Sequence, residues 1–388
     1  MKILGIIAEY NPFHNGHLYH LQPAKEKTKA DAVVVVMSGS FVQRGEPAFA
    51  DKWTRAEIAI KNGVDLVLEL PFAFACNNAE FFARGGVAML DRLGCVDAIA
   101  FGSEMEDPEP LLTAEESESF RDIMRQKLDA GMPYPKAATQ TLSELSGISE
   151  DALSGPNNLL SVQYIKQLIQ SGSEMQIVTV PRDGITSASN VRAAIREGRS
   201  VHDMVPSHTI EVLQTLNCRV NLEINDLHDQ IYTSLLRTSK ESLAEIFAAG
   251  EGLENRLLDR LRGAADPDAL IAAVKGKRYT TARIKRLLIQ QLIGLTKRDF
   301  AEITQERLLY GRVLALSQTG ADLLRYIKSK ECCDYPLITN VNKEYTDLGR
   351  AELLLRQDIL AADLYNLVAG HDLYRNSDFV RRLFVQRT

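Results

Sequence analysis

Residues 6–17 read Ile6-Ile7-Ala8-Glu9-Tyr10-Asn11-Pro12-Phe13-His14-Asn15-Gly16-His17, an apolar run that passes through a turn into a polar helix start. The apolar residues 3–8 suit a strand, Asn11-Pro12 is a turn signal, and residues 16–29 carry a helical pattern. His14 and His17 are three apart, so at a helix start they face one side. Gly16 leaves the backbone bare where a ligand could approach closely. A helix N-terminus attracts anions through its free N–H groups and its dipole. Two imidazoles beside it supply donors to a phosphate whose charge rises in a transition state. Two other readings compete. His14, Asn15 and His17 could merely cap the helix, or His14, His17 and His20 could bind a metal. Six helical residues drift by about 120°, so three rings do not converge easily on one ion, and no protein metal ligand is assigned.

Outward from this stretch, apolar runs alternate with helical patterns. Residues 32–37 (AVVVVM) form a β-branched run suited to a strand buried on both faces. Strands are also expected at 64–70, 96–101 and 175–180, and helices at 52–62, 79–93, 117–147, 158–170 and 189–197. This alternation predicts an α/β fold with a parallel sheet and helices on both faces. In such sheets ligands bind outside the C-terminal strand ends, where the turn after residue 8 would lie. From about residue 205 the pattern becomes helical, over 208–216, 226–248, 252–262, 280–294, 299–316 and 319–329, with strand signal only at 335–341. The expected division is a first domain over 1–200 and a mainly α-helical domain over 201–388. The acidic segment 104–118 reads as an exposed loop.

Composition narrows the class. Of the 388 residues, 45% are hydrophobic and 25% charged, as in ordinary globular proteins. No apolar run approaches the roughly 20 residues of a membrane helix. Five cysteines with no CxxC pair point to reduced thiols and a cytoplasmic address. Net charge is −6, but residues 1–200 hold 19 basic and 26 acidic residues while residues 201–388 hold 26 and 25. Lys275 to Arg298 carries eight basic residues and no acidic one. Local charge is what a polyanion meets. A solvated helix face is the plain alternative.

A second motif, Thr186-Ser187-Ala188-Ser189-Asn190-Val191-Arg192, follows the strand expected at 175–180. Hydroxyls and an arginine at a helix start suit phosphate oxygens, although Ser189 could simply cap that helix. Arg44, Lys52 and Arg55 follow the second strand, on the same edge as the turn after residue 8, and could contact an anionic ligand there. Alternatively, Arg55 could pair with Asp51 on the helix surface.

His14-Asn15-Gly16-His17 resembles the HxGH motif of the nucleotidylyltransferase superfamily, related to the class I aminoacyl-tRNA synthetases, and residues 186–192 resemble its second phosphate motif. The likeness to one family is closer. Residues 6–17, Met37–Ala48 (MSGSFVQRGEPA), Asp51–Ala56 (DKWTRA), Gly63–Pro71 (GVDLVLELP), Phe101–Glu104 (FGSE), Gly155–Leu160 (GPNNLL) and Gly276–Ile284 (GKRYTTARI) resemble the bacterial tRNA(Met) cytidine acetate ligase family. One departure is the short link Arg182-Asp183-Gly184-Ile185, where the family is expected to have a longer loop.

The resemblance implies a Rossmann-like nucleotidyltransferase domain followed by a helical tRNA-binding domain. It implies an enzyme that makes acetyl-adenylate from ATP and acetate, then acetylates N4 of the wobble cytidine of elongator tRNA(Met). Ile7, Ala8, Glu9, Tyr10, Asn11, Pro12, Phe13, His14, Asn15, Gly16, His17, Leu18, Tyr19 and His20 would line the ATP site. Within it, His14 and His17 would serve the α-phosphate. Gly102, Asn157 or Asn158, and Arg182 would hold adenosine, while Ser187, Ser189 and Arg192 would hold the outer phosphates. Mg2+ is expected with ATP, carried by phosphate oxygens and water. Lys277, Arg278, Tyr279, Arg283, Lys285 and Arg286 would meet tRNA through phosphate contacts and one stacking ring. The competing functions are an adenylyl- or cytidylyltransferase for a small phosphorylated metabolite, which needs no basic helical half, and a non-catalytic RNA-binding module.

Overall fold

The computed structural model describes the chain except residues 104–108, 133, 155, 182–185, 217, 277 and 387–388. The expected α/β architecture is present. In chain order the strands are β1 (Ile3–Ala8), β2 (Ala32–Ser38), β3 (Phe41–Val42), β4 (Glu46–Pro47), β5 (Leu66–Leu70), β6 (Ala98–Gly102), β7 (Gln176–Val180), β8 (Gly311–Leu316), β9 (Leu337–Ile338) and β10 (Phe384–Val385). The main sheet runs β10-β8-β5-β2-β1-β6-β7, with β9 beside β8, and β3-β4 form a separate hairpin. From β1 the chain builds through β2 to β5, then returns to the other side of β1 for β6 and β7. The direction of building therefore reverses between β1 and β6, the crevice where such sheets bind ligands.

Alternation along the strands sorts two core layers. Val33, Val35 and Met37 of β2 face one layer with Leu4 and Ile6 of β1 and Trp53 and Ile58 of the helix Lys52–Lys61. Val34 and Val36 face the other, with Leu66, Leu68 and Phe82. All seven β2 residues are buried, so a continuous apolar run is what the position requires.

The second half departs from the mainly helical expectation. Residues 299–316 do not form one helix: the helix Lys297–Gln305 ends, Arg307 takes φ +51°, and β8 runs antiparallel to β5. Every β8 residue is buried, and a short apolar run buried on both faces has no period to separate strand from helix. Part of the segment read as an exposed loop is the helix Glu109–Glu116, while residues 104–108 lie outside the described residues. The weak strand signal near 335 is β9. Among the described residues, no helix is long and apolar enough to cross a membrane.

Two polar devices bind the halves together. Lys52 Nζ lies 2.8 Å from Glu69 and 2.9 Å from Asp378, with all three side chains buried. Nearby, Asp358 accepts from Phe72 N at 2.5 Å and from the Tyr310 hydroxyl. The β3-β4 hairpin, meanwhile, presses on the helix Thr281–Ile293. At its tip Gly45 has φ +73°, and a Cβ there would stand 2.4 Å from Arg286 N, so only glycine fits.

Candidate active site

The HxGH element follows β1 and opens the helix Asn15–Thr28. His14 is the N-cap, and its Nδ1 accepts from Gly16 N at 3.1 Å. The His17 Nδ1 accepts from His14 N at 3.2 Å. The capping alternative is therefore realised, as a reciprocal box built from two histidines. It also serves chemistry. With Nδ1 of each ring used as an acceptor, the proton of the neutral ring sits on Nε2. The rings lie 3.8 Å apart, centroid to centroid, at 30°, and His17 meets Tyr10 edge-on at 4.9 Å. Tyr10 itself is buried with φ +45°.

These rings line a cavity of about 240 Å3 outside the ends of β1, β6 and β7, at the reversal point of the sheet. Ile7, Ala8, Glu9, Tyr10, His14, Gly16, His17, His20 and Gly102, all expected from sequence, lie on its wall. Ile6, Phe82, Ala100, Phe101, Leu160, Ser161, Tyr164, Val180, Pro181 and Thr186 complete it. Thr186 belongs to the second motif, whereas Phe82, Phe101, Leu160 and Tyr164 were missed because an apolar or aromatic residue on a buried strand or helix reads as core. Phe101 and Tyr164 stand 5.4 Å apart, and Ser161 Oγ donates to Gly102 O at 3.2 Å. Among the described residues, no group of three His, Cys, Asp or Glu side chains could hold a metal ion.

Other expected residues support the wall instead of lining it. Asn11 Oδ1 accepts from Phe49 N at 2.5 Å, and Asn15 N donates to Met204 O at 3.0 Å. Phe13 is buried, Leu18 packs partly buried against the core, and Tyr19 is exposed. Pro12 and Asn158 do not line the cavity either, and Asn158 is fully buried. Arg182 and the Asn157 side chain lie outside the described residues. The bare backbone at Gly16 faces the chain itself: a Cβ there would lie 2.9 Å from the His14 ring and 3.3 Å from Thr186 O.

The second motif docks on the first. Arg192 donates to Asn11 O at 2.6 Å from the helix Ala188–Arg196. Ser187, not Ser189, caps that helix by accepting from Asn190 N at 3.2 Å. Ser189 and Arg192 line a second cavity of about 290 Å3 with Arg44, Glu46, Arg196 and Lys285. Burial lowers the Arg192 pKa, while the charges of Glu46 and Glu9 oppose the shift. Burial likewise holds the Glu9 carboxyl above its ordinary value, against the Gln43 N–H and the charges of Arg192, Arg44 and Arg55.

The basic residues divide. Lys52 and Arg55 are buried and cannot meet RNA. Arg55 instead donates to Ala50 O and Ser38 O at 2.9 Å, to Glu9 O at 2.6 Å and to Gly39 O. Asp51 caps the helix Lys52–Lys61 instead of pairing with Arg55 on a surface. Tyr279 is buried, with its hydroxyl donating to Glu251 O at 2.5 Å, so its ring offers no stacking platform. Arg283 pairs with Glu251 at 2.8 Å, Lys285 with Glu46 at 2.7 Å, and Arg286 donates to Gln43 O at 3.2 Å. These three hold neighbouring loops and the hairpin. Lys275 and Arg278 are exposed, and Lys277 lies outside the described residues.

Comparison with known proteins agrees with this arrangement. The profile of the HIGH Nucleotidyl Transferase family matches residues 1–378. The tRNA(Met) cytidine acetate ligase of Thermoanaerobacter sp. (strain X514) is 37% identical, over 99% of each chain. That of Clostridium acetobutylicum is 35% identical, over 99% of this chain and 100% of its own. A crystal structure of Thermotoga maritima TmcAL bound with alpha-thio ATP superposes with a TM-score of 0.92 at 32% identity, covering 100% of both chains. With the histidine box at the sheet's reversal point and relatives aligned along nearly its whole length, the chain belongs to the HIGH nucleotidyl transferases and, among them, to the tRNA(Met) cytidine acetate ligase family.

Proposed function

We propose that the chain is an ATP-dependent ligase that converts acetate to acetyl-adenylate and acetylates N4 of the wobble cytidine of elongator tRNA(Met). The observation that carries this is the histidine box facing a cavity at the sheet's reversal point, in a chain collinear with the ligases. Acetate is a poor acyl donor because its carbonyl bears the carboxylate charge, and adenylation replaces that charge with a good leaving group. Phe101 and Tyr164 supply apolar walls for the base. His14 and His17 stand at a helix N-terminus, where donors stabilise charge developing on the α-phosphate and the departing pyrophosphate. Arg192, beside Ser189 and Arg44, takes the outer phosphates. Mg2+ accompanies ATP, carried by phosphate oxygens and water. It would neutralise phosphate charge. The setting is cytoplasmic, where ATP and tRNA meet.

Incubation with ATP, acetate, Mg2+ and an unmodified elongator tRNA(Met) transcript is expected to yield N4-acetylcytidine at the wobble position, read by nucleoside mass spectrometry. Pyrophosphate release without RNA acetylation would instead favour a small-molecule acceptor.

The start of the basic stretch, where Lys275 and Arg278 are exposed, is the tRNA contact. Lys277→Ala with Arg278→Ala, leaving the structural Arg283, Lys285 and Arg286 intact, is expected to spare RNA-independent pyrophosphate release. It should weaken tRNA binding and flatten the log–log salt dependence by about one unit per lost phosphate contact. Filter binding across a salt series checks this. An unchanged slope places the RNA elsewhere.

A further inference from the structure

We propose that Glu9 is a catalytic residue of the acyl-transfer step, taking the proton from the exocyclic amine of the acceptor cytosine; this rests on the ligase reading above. Glu9 follows β1 directly and shares the cavity wall with His14 and His17. Its Oε1 is fixed by Gln43 N at 2.8 Å. Among the described residues, Oε2 accepts no hydrogen bond and no cation comes within ion-pairing distance. The backbone beneath it is equally fixed, since Arg55 donates to Glu9 O at 2.6 Å. One carboxylate oxygen is thus immobilised while the other is left for a ligand.

The chemistry of the reactants selects which ligand. ATP and acetate are anions, and a carboxylate on the wall repels both. The adenine amine and ribose hydroxyls of ATP are donors too, but none of them loses a proton in the reaction; the cytosine amine presents N–H donors and must shed one, so it is the reactant that needs a base there. In the step, the N4 lone pair attacks the acetyl carbonyl carbon and a C–N bond forms. The carbonyl C–O bond to phosphate breaks, and its electron pair leaves on AMP. The surplus proton on nitrogen passes to Glu9 Oε2 and then to solvent. Burial raises the affinity of Glu9 for that proton, with Arg44, Arg55 and Arg192 opposing, and Tyr164 and Cys76 also facing it. A base closer to the working pH transfers protons more effectively.

The hairpin gives this residue a mechanical support. Gln43 lies in the β3-β4 turn, which is held by the Lys285–Glu46 ion pair at 2.7 Å and by Arg286 on Gln43 O at 3.2 Å. Basic residues expected to meet RNA therefore brace the loop that aims Glu9.

The test separates the two half-reactions in the full-length protein. Glu9→Gln keeps an acceptor oxygen for Gln43 N and cannot take the proton. Single-turnover transfer from preformed acetyl-adenylate to the tRNA(Met) transcript is expected to slow by at least about a hundredfold, whereas acetate-dependent pyrophosphate release falls by less than about tenfold. Glu9→Asp, which keeps the acid on a shorter arm, is expected to transfer faster than Glu9→Gln. Equal losses in both half-reactions overturn the proposal. So does an adenylation defect restored by raising Mg2+, which makes Glu9 a metal ligand, and so does transfer no faster in Glu9→Asp. Failure of the wild-type protein to acetylate the transcript would refute the ligase reading itself, a result distinct from all of these.

Discussion

Replacing His17 by alanine is expected to slow acetyl-adenylate formation by about a hundredfold or more, the scale for losing one transition-state donor. The capping box complicates a simple reading of that number. His17 Nδ1 also accepts from His14 N at 3.2 Å, so alanine removes the reach-back half of the capping box and some helix stability with it. It also removes the ring packed 3.8 Å from His14, which loosens the second histidine. A companion variant separates the effects. Glutamine at the third position of a helix can reach back to the cap N–H and restore the box without an imidazole. His17→Gln is therefore expected to recover most of the thermal stability lost in His17→Ala and little of the rate. ATP–pyrophosphate exchange with acetate measures one quantity and thermal melting the other. Near-normal exchange in His17→Ala, or rate recovery tracking stability in His17→Gln, would leave the histidine as a cap and nothing more.

How much of this was legible in the sequence depends on which force set each element. The parallel strands were legible because β1, β2, β5, β6 and β7 are apolar runs bounded by turn residues, and burial on both faces demands such runs. β8 was not, because Gly311–Leu316 joins the sheet by long-range pairing with β5, and no local signal records a partner more than 240 positions away. That His14 and His17 share one face was legible from spacing, and their place on a ligand cavity from the HxGH resemblance. Phe101 and Tyr164 were hidden because a cavity wall and a core use the same side chains. Charge misled in a consistent way. Lys52, Arg55, Arg283, Lys285 and Arg286 each read as cations available to a polyanion, yet each finds an acidic or carbonyl partner remote in sequence. A basic stretch reports its charge, while only the fold reports which charges are already satisfied. The exposed cations of the stretch lie at its two ends, Lys275 and Arg278 just before the helix that braces the hairpin and Lys297 and Arg298 after it.

Lys52→Met is expected to destabilise the protein by about 3–5 kcal/mol, the scale for removing one partner of a buried ion pair and stranding the other. Methionine preserves the volume and apolar stem of lysine, so packing changes little and the missing charge is isolated. Glu69 lies 2.8 Å and Asp378 2.9 Å from Lys52 Nζ, and none of the three side chains is more than 2% exposed. Water cannot replace the ammonium. The effect also has a pH signature. Burial already raises the Glu69 and Asp358 pKa values, and Lys52 is a charge that holds both down. Without it both are expected to rise further. A group with a raised folded-state pKa binds its proton more tightly folded than unfolded, so it stabilises the fold at low pH and loses that contribution as pH rises through the folded value. The deficit of Lys52→Met relative to wild type should therefore be largest above the raised value of Glu69. It should shrink as pH falls towards the ordinary carboxylate value of 4.5. Urea denaturation at several pH values measures it. The chain's single tryptophan, Trp53, has its ring centroid 5.7 Å from Lys52 Nζ and reports the unfolding by fluorescence. An unchanged midpoint at neutral pH, or a deficit that grows in acid, would show that Lys52 is not what holds those carboxyl pKa values down.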